Sequence, residues 1–240
     1  MSRPHWIFVL AGMPSASPTS HRQRRERMMT PQRGLLFHIT HLSNLASIAQ
    51  HGLWCDSEME ASASAPREIG NLEIKEQRRR RSVPLPPGGS VADYVPFYFA
   101  ARSPMLFSIH KGAVSSYQGG QKKIAYLVSS IDSIIEHGLQ FVFTDRNAAL
   151  GHARYGDDPA SLAEHIDWEL MEARMWKNTS SEPDRMERRM AELLVHGYVP
   201  WAAITSVVTK TEKRSRQASA ALTTVGVTTP VSVNSDWYFS

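Results

Sequence analysis

The sequence predicts an α+β domain, and three observations carry that expectation. Short apolar runs closed by glycine or proline recur along the chain, as strands do. Between them lie short stretches with helix caps and an apolar stripe. The spacing is irregular, with long polar or proline-rich loops, which argues against a repeating parallel sheet. The 240 residues suit one domain with or without an appendage, and 42% hydrophobic with 21% charged residues is ordinary for a globular chain. A formal net charge of +4 is a mild bias toward a polyanionic partner. One cysteine, Cys55, excludes an internal disulfide and any CxxC motif, as suits a reducing cytoplasm, and it reads as a core filler. No apolar run approaches the roughly 20 residues that span a bilayer, so no membrane partner is expected.

Residues 1–32, with a Ser/Pro stretch and then HRQRRERMM, read as a poorly ordered basic arm, and residues 33–240 as the domain. Leu35 to Ile39 reads as a strand. Thr40 is a fair N-cap for a helix with apolar face Leu42, Leu45, Ile48 and Ala49, stopped by Gly52. His38 and Thr40 then stand where a strand end meets a helix N-terminus, a setting that suits anions. A core histidine bonded to a backbone carbonyl is the alternative for His38. His38 and His41 are remote from acids and cysteines, so no metal is expected.

Asn71 to Arg80 predicts a short polar helix ended by Pro-Leu-Pro-Pro-Gly-Gly, with four consecutive arginines that form either a solvated face or a phosphate-contacting patch. The aromatic segment Tyr94 to Phe99 runs into Arg102, and rings beside an arginine suit stacking on a nucleobase or nicotinamide as well as core packing. Lys123 to Ser129 and Leu139 to Phe143 read as strands, separated by a helix from Ile131 to His137 capped by Gly138. Ser161 and Glu164 form a capping box for a helix with buried stripe Leu162, Ile166, Leu170 and Ala173. Ile204 to Val208 reads as a strand, Lys210 to Gln217 as a basic connector, and Val225 to Val233 as a last strand.

The stretch Arg185 to Trp201 sets Glu192 at the mouth of a short buried strand. Alternation puts Glu192 on one face with Leu194 and His196, opposite Leu193 and Val195. An acid there is either paired, with Arg188 or Arg189, or working in a reaction.

The blocks FHITHLSNLASI, QRRRRSVPLPPGG, DYVPFYFAARSPMLF, YQGGQKKIAYLVSS, FVFTDRNA, IDWELMEARMW, ERRMAELLVHGYVPW and the terminal DWYF occur in order from Gly34 to Phe239. Together they resemble the DarT family of DNA ADP-ribosyltransferase toxins. The resemblance implies the split-sheet core of poly(ADP-ribose) polymerases with peripheral helices, and NAD as co-substrate. It further implies thymidine in single-stranded DNA as acceptor, and a DarG-like macrodomain antitoxin as partner to a monomeric toxin. By the same resemblance Glu192 is the catalytic acid and Arg78 the essential arginine. His38, Thr40, Asn44, Leu45, Gly52, Tyr98 and Met105 meet NAD. Arg102, Arg146, His152 and Arg154 are candidates for contacts to the DNA, the alternative for each being a merely exposed side chain, and Asn147 joins them where a base-facing histidine would be expected. The same transferase chemistry on another base, RNA or protein is an alternative reading, as is a non-catalytic single-strand-binding module.

Overall fold

Residues 34–61 and 66–240 are described by a computed structural model; the arm expected over residues 1–32 lies outside them. In chain order the strands are β1 (Leu35–His41), β2 (Leu53–Trp54), β3 (Tyr94–Tyr98), β4 (Ile124–Ser130), β5 (Phe141–Thr144), β6 (Tyr155–Gly156), β7 (Glu192–His196), β8 (Tyr198–Val199), β9 (Ser206–Thr209) and β10 (Val231–Val233). The helices are α1 (Leu45–His51), α2 (Asp56–Ala61), α3 (Leu72–Arg80), α4 (Pro104–His110), α5 (Ile131–Glu136), α6 (Leu162–His165), α7 (Trp168–Glu172), α8 (Arg185–Arg188) and α9 (Glu212–Thr223).

Eight strands form one sheet in the order β10-β9-β4-β1-β3-β7-β5-β6, while β2 and β8 make a separate ribbon. Every neighbour pair in the large sheet is antiparallel except β9 with β10. The sheet is split at its centre. β1 pairs along its whole length with β4, from Leu35 opposite Ser130 to His41 opposite Ile124, yet meets β3 at a single register pair, Phe37 with Tyr98. β3 in turn pairs along its whole length with β7, from Tyr94 opposite His196 to Tyr98 opposite Glu192. Two four-stranded halves therefore join at one point, as the split-sheet expectation requires.

Both faces of β7 are covered. Leu193 and Val195 enter the main core, whereas Leu194 joins a smaller cluster with Val83, Val91, Tyr94, Val142 and Ala148. Each such side chain contributes about 1.5–3 kcal/mol by leaving water. The alternation read from the sequence is thus realised, and it turns Glu192 toward the smaller cluster, where Ala148 lies.

Several elements differ from expectation for identifiable reasons. His41, not Thr40, is the cap after β1: its Nδ1 accepts from the Ser43 N–H at 3.1 Å, opening a 3-10 turn before α1. The helix expected from Ser161 is two short helices, α6 and α7. Asp167 Oδ1 accepts from the Leu170 N–H at 3.0 Å and starts a new helix there, while the Ser161 side chain caps nothing. Leu162, Ile166 and Leu170 are still buried. The basic connector is the start of α9, a 12-residue helix whose polar first half hides the buried Ala218 and Leu222 four positions apart. The last strand is confined to Val231–Val233.

Candidate active site

Glu192 is the first residue of β7, between Tyr98 of β3 and Thr144 of β5. Only 2% of it is exposed. Its charge is met by Arg78, from the last turn of α3. That helix is fixed at its start by Asn71, whose Oδ1 accepts from the Glu73 N–H at 2.8 Å. Arg78 Nη1 donates to both Glu192 carboxylate oxygens at 3.0 Å, and the Ala148 N–H donates to Oε2 at 3.2 Å. Burial works against the Arg78 charge, but Glu192 outweighs it and holds the guanidinium above its ordinary range. Arg78 Nη2 is buried and has no partner in the protein. It is Arg78, not Arg79, that reaches Glu192; Arg79 Nη1 pairs with Glu76 at 3.1 Å.

The ion pair expected of Glu192 exists, but its partner is neither Arg188 nor Arg189. Arg188 is taken by Asp167, Glu182 and Asp184. Arg189 is buried and donates to the carbonyls of Leu170, Met171, Ala173 and Ala101. With no carboxylate on it, burial lowers its pKa to about 10. The distance in sequence between Arg78 and Glu192 hides their pairing from a local reading.

The residues expected to meet NAD fall into two groups. His38 Nδ1 donates to the Pro96 carbonyl at 2.9 Å, spanning the split between β1 and β3. Burial lowers its pKa, so the ring is neutral at pH 7 and Nε2 carries no proton. Asn44 is buried and ties three groups together: Nδ2 donates to Thr40 Oγ1 at 3.3 Å and to the Arg67 carbonyl at 3.0 Å, and Oδ1 accepts from the Arg67 N–H at 2.8 Å. Tyr98 is buried against Glu192, and burial with that negative charge keeps its phenol protonated. The phenol donates to Met105 Sδ at 3.7 Å. Leu45 and Gly52 belong to the second group. Leu45 is wholly buried in the core. Gly52 ends α1 at φ 83°, where a Cβ would stand 2.0 Å from the Tyr198 ring, so packing alone requires a glycine.

Four of the five residues expected to face DNA lie on the loop between β5 and β6. Asp145 anchors it: buried itself, it accepts from the Arg154 N–H and Nε, each at 2.9 Å, and from Arg146. Burial would raise its pKa, but these bonds, Arg154's first, hold it below the usual carboxylate range. Arg154 and His152 are exposed, His152 Nε2 lying 3.0 Å from Glu187. Asn147 turns inward: Oδ1 accepts from the Ala149 N–H at 2.9 Å and Nδ2 points at Met190 Sδ, 3.9 Å away. Arg102 lies elsewhere, with Nη1 on the Tyr238 carbonyl at 3.2 Å and its guanidinium 4.5 Å over the Phe239 ring. Sequence reasoning missed the groups that hold this loop against Glu192. Tyr155 Oη donates to the Ala148 carbonyl at 3.1 Å and Arg81 Nε to the Ala149 carbonyl at 3.3 Å.

The family model described as "ssDNA thymidine ADP-ribosyltransferase, DarT" matches residues 37–239.

The chain belongs to the DarT family.

A DNA ADP-ribosyl transferase of Thermus sp. (strain 2.9) is 38% identical over 214 residues, covering 87% of this chain and 98% of that protein. One from Escherichia coli O127:H6 is 33% identical over 212 residues, covering 88% and 96%. The structure of Thermus sp. 2.9 DarT with ADP-ribosylated single-stranded DNA superposes with a TM-score of 0.81 at 38% identity, over 88% of this chain and 99% of that one. The same DarT protein with NAD⁺ superposes with a TM-score of 0.78. These DarT structures bear out the expected fold. Among the described residues no group of three His, Cys, Asp or Glu side chains could hold a metal, and no helix is long and apolar enough to cross a membrane.

Proposed function

We propose that this protein transfers ADP-ribose from NAD to thymidine in single-stranded DNA, with Glu192 as the catalytic carboxylate and Arg78 as its charged partner. The observation that carries the reading is the Arg78–Glu192 pair, buried beside the junction of the split sheet. An unsatisfied buried donor costs about 1–3 kcal/mol. Arg78 Nη2 is such a donor, and a negatively charged ligand suits it.

NAD supplies the ADP-ribosyl group, whose bond from ribose carbon to nicotinamide breaks with the electron pair leaving on nicotinamide. Glu192 stabilises the positive charge that develops on the ribose, as carboxylates do in glycoside cleavage. It also takes the proton from thymine N3, so that the N3 lone pair forms the new bond to the ribose carbon. Arg78 stabilises the negative charge developing on the base. Ala148 N–H and Arg78 Nη1 hold the carboxylate in one orientation. His38 Nε2, unprotonated, accepts from a hydroxyl of the donor, while Thr40 and Asn44 shape the wall beside it. Tyr98 and Met105 cover the nicotinamide side. Arg146, His152 and Arg154 guide the strand, which is single because N3 is occupied in a duplex and exposing it costs a few kcal/mol. The protein acts as a monomer in the bacterial cytoplasm, held in check by a macrodomain antitoxin that removes the mark.

Mass spectrometry of short single strands with and without thymine, after incubation with NAD, tests this reading. A gain of one ADP-ribose on thymine-containing strands alone is expected. NAD consumption with no adduct on DNA would move the acceptor to RNA or protein, and no consumption at all would reduce the Arg78–Glu192 pair to a structural one.

A further inference from the structure

The basic segment at the start of α9 takes no part in the chemistry above. Arg214 and Gln217 from that helix, Lys123 before β4 and Ser43 after β1 line an open recess of about 360 Å³. Buried His41 touches one lining residue, its Nδ1 2.7 Å from Ser43 Oγ. Arg67 lies over the ring of Tyr117, 5.7 Å from its centroid, and the Tyr117 ring packs edge-on to His41 at 5.7 Å. The Tyr117 hydroxyl is buried and has no partner.

The charge here is uncompensated. Lys75, Arg79, Arg80, Arg146, Arg154, Arg185 and Arg188 each pair with a carboxylate. Among the described residues no carboxylate pairs with Arg67, Lys123 or Arg214, as is also true of Arg81, Lys122, Lys213 and Arg216; the first three are set apart by acting together on His41. Burial and then these three cations push the His41 pKa down, and no acid opposes them. Two cations, Lys123 and Arg214, line the recess, and Arg67 stands nearby over Tyr117; an open, positively lined surface suits an anion that passes over it. The recess also lies at the end of β1, the strand that carries His38 and Thr40, and Ser43 is three residues beyond Thr40. With one strand step of about 3.3 Å and two 3-10 steps of about 2 Å, Ser43 stands about 7 Å along the chain from Thr40.

We infer that the recess of Ser43, Lys123, Arg214 and Gln217 binds backbone phosphates of the nucleic-acid strand, at a distance from the nucleotide that is modified. Lys123 and Arg214 contact phosphodiester oxygens, Gln217 adds an amide donor, and Arg67 adds to the field. The site carries no base specificity, because its donors are those that position a strand rather than read it. The inference rests on the single-strand reading of the acceptor.

Binding of a fluorescent thymine-containing single strand, without NAD, tests it across a range of salt in wild type and in the Lys123→Ala/Arg214→Ala double variant. Both side chains lie at the surface recess, so an unchanged thermal midpoint checks folding. Each phosphate contact on a single strand contributes a slope of about 0.7 in log affinity against log salt, so losing two lowers the slope by about 1.4 and weakens binding roughly tenfold at low salt. A short strand that spans only the acceptor and its neighbours is expected to bind, and be modified by, both proteins equally. Equal affinity and slope for the long strand in the two proteins would overturn the inference, as would no binding of any strand by wild type. Failure of wild type to modify a short strand that it binds would instead overturn the proposed activity and leave the salt comparison decisive for the recess. Inorganic diphosphate, followed through the His41 imidazole by NMR, separates the sources: saturation by diphosphate alone at concentrations that leave the strand bound would make this a small-anion pocket and overturn the strand assignment.

Discussion

Arg78 Nη1 sits 3.0 Å from each carboxylate oxygen of Glu192, so one nitrogen bridges both oxygens. A fork-to-fork pair would use two nitrogens, each on its own oxygen. The bridging geometry engages the carboxylate through a single nitrogen and leaves Nη2 beside it as a second, unspent donor.

Replacing Glu192 with glutamine keeps an oxygen for Arg78 and the Ala148 N–H but removes the charge. ADP-ribosylation of single-stranded DNA is expected to fall by about 10²–10³, the loss usual for a group that stabilises transition-state charge. Circular dichroism should show a folded protein. Activity within tenfold of wild type would remove Glu192 from the chemistry.

Asn44→Ala deletes three hydrogen bonds to Thr40 and the Arg67 backbone, all made inside the structure. At about 1 kcal/mol each, a loss of about 3 kcal/mol in stability is expected. On the proposed place of Asn44 in the wall beside the donor, with Glu192 left in position, KM for NAD should rise more than kcat falls. A drop confined to kcat would contradict that division of labour.

Asp145 gives the protein an acid-sensitive joint. Its folded pKa lies below its unfolded value, so its contribution to stability is complete above about pH 4, the unfolded range, and is lost as pH falls through the folded value. Asp145→Asn should lower the thermal midpoint at neutral pH and flatten its decline below pH 4. Parallel midpoint curves for the two proteins would show that Arg146 and Arg154 do not draw on this charge.

Arg189 holds four carbonyls, three at the C-terminal end of α7 (Leu170, Met171 and Ala173) and one, Ala101, in the loop after β3. Lysine keeps the charge but is a compact point donor that cannot reach all four. Arg189→Lys is expected to destabilise the fold by about 2–4 kcal/mol, seen in urea unfolding, since several buried acceptors lose their donor. A shift below about 0.5 kcal/mol would mean that water replaces those bonds.

Much of this architecture was legible in the sequence because strands announce themselves locally. The Leu-Leu-Val run after Glu192, the polar helix after Asn71 and the Gly52 and Gly138 stops each carry their own signal within a few residues. Helix α9 did not, since Glu, Lys, Arg, Ser and Gln support a helix without drawing an apolar stripe. Nor did the break at Asp167, where a side chain that caps one helix interrupts a pattern that looks continuous. At the candidate site Glu192 and Arg78 could be singled out in the sequence, but the pairing between them could not. Arg188 and Arg189 stand near Glu192 in the chain and are committed elsewhere, whereas Arg78 arrives from 114 positions away. Asn147 illustrates the same limit, because nothing in its neighbourhood reveals that its amide folds back on Ala149.

The contact from Ala148 to Glu192 is made by the main chain, and this shields it from ordinary genetics. Alanine scanning cannot register Ala148, and almost any side chain at that position preserves the donor. Natural variation there reports only on the space beside Val83 and Tyr94, not on the amide. Among encoded residues only proline removes that hydrogen; beyond it, chemistry that edits the backbone itself, such as an ester in place of the amide, is what can reveal what that single N–H is worth.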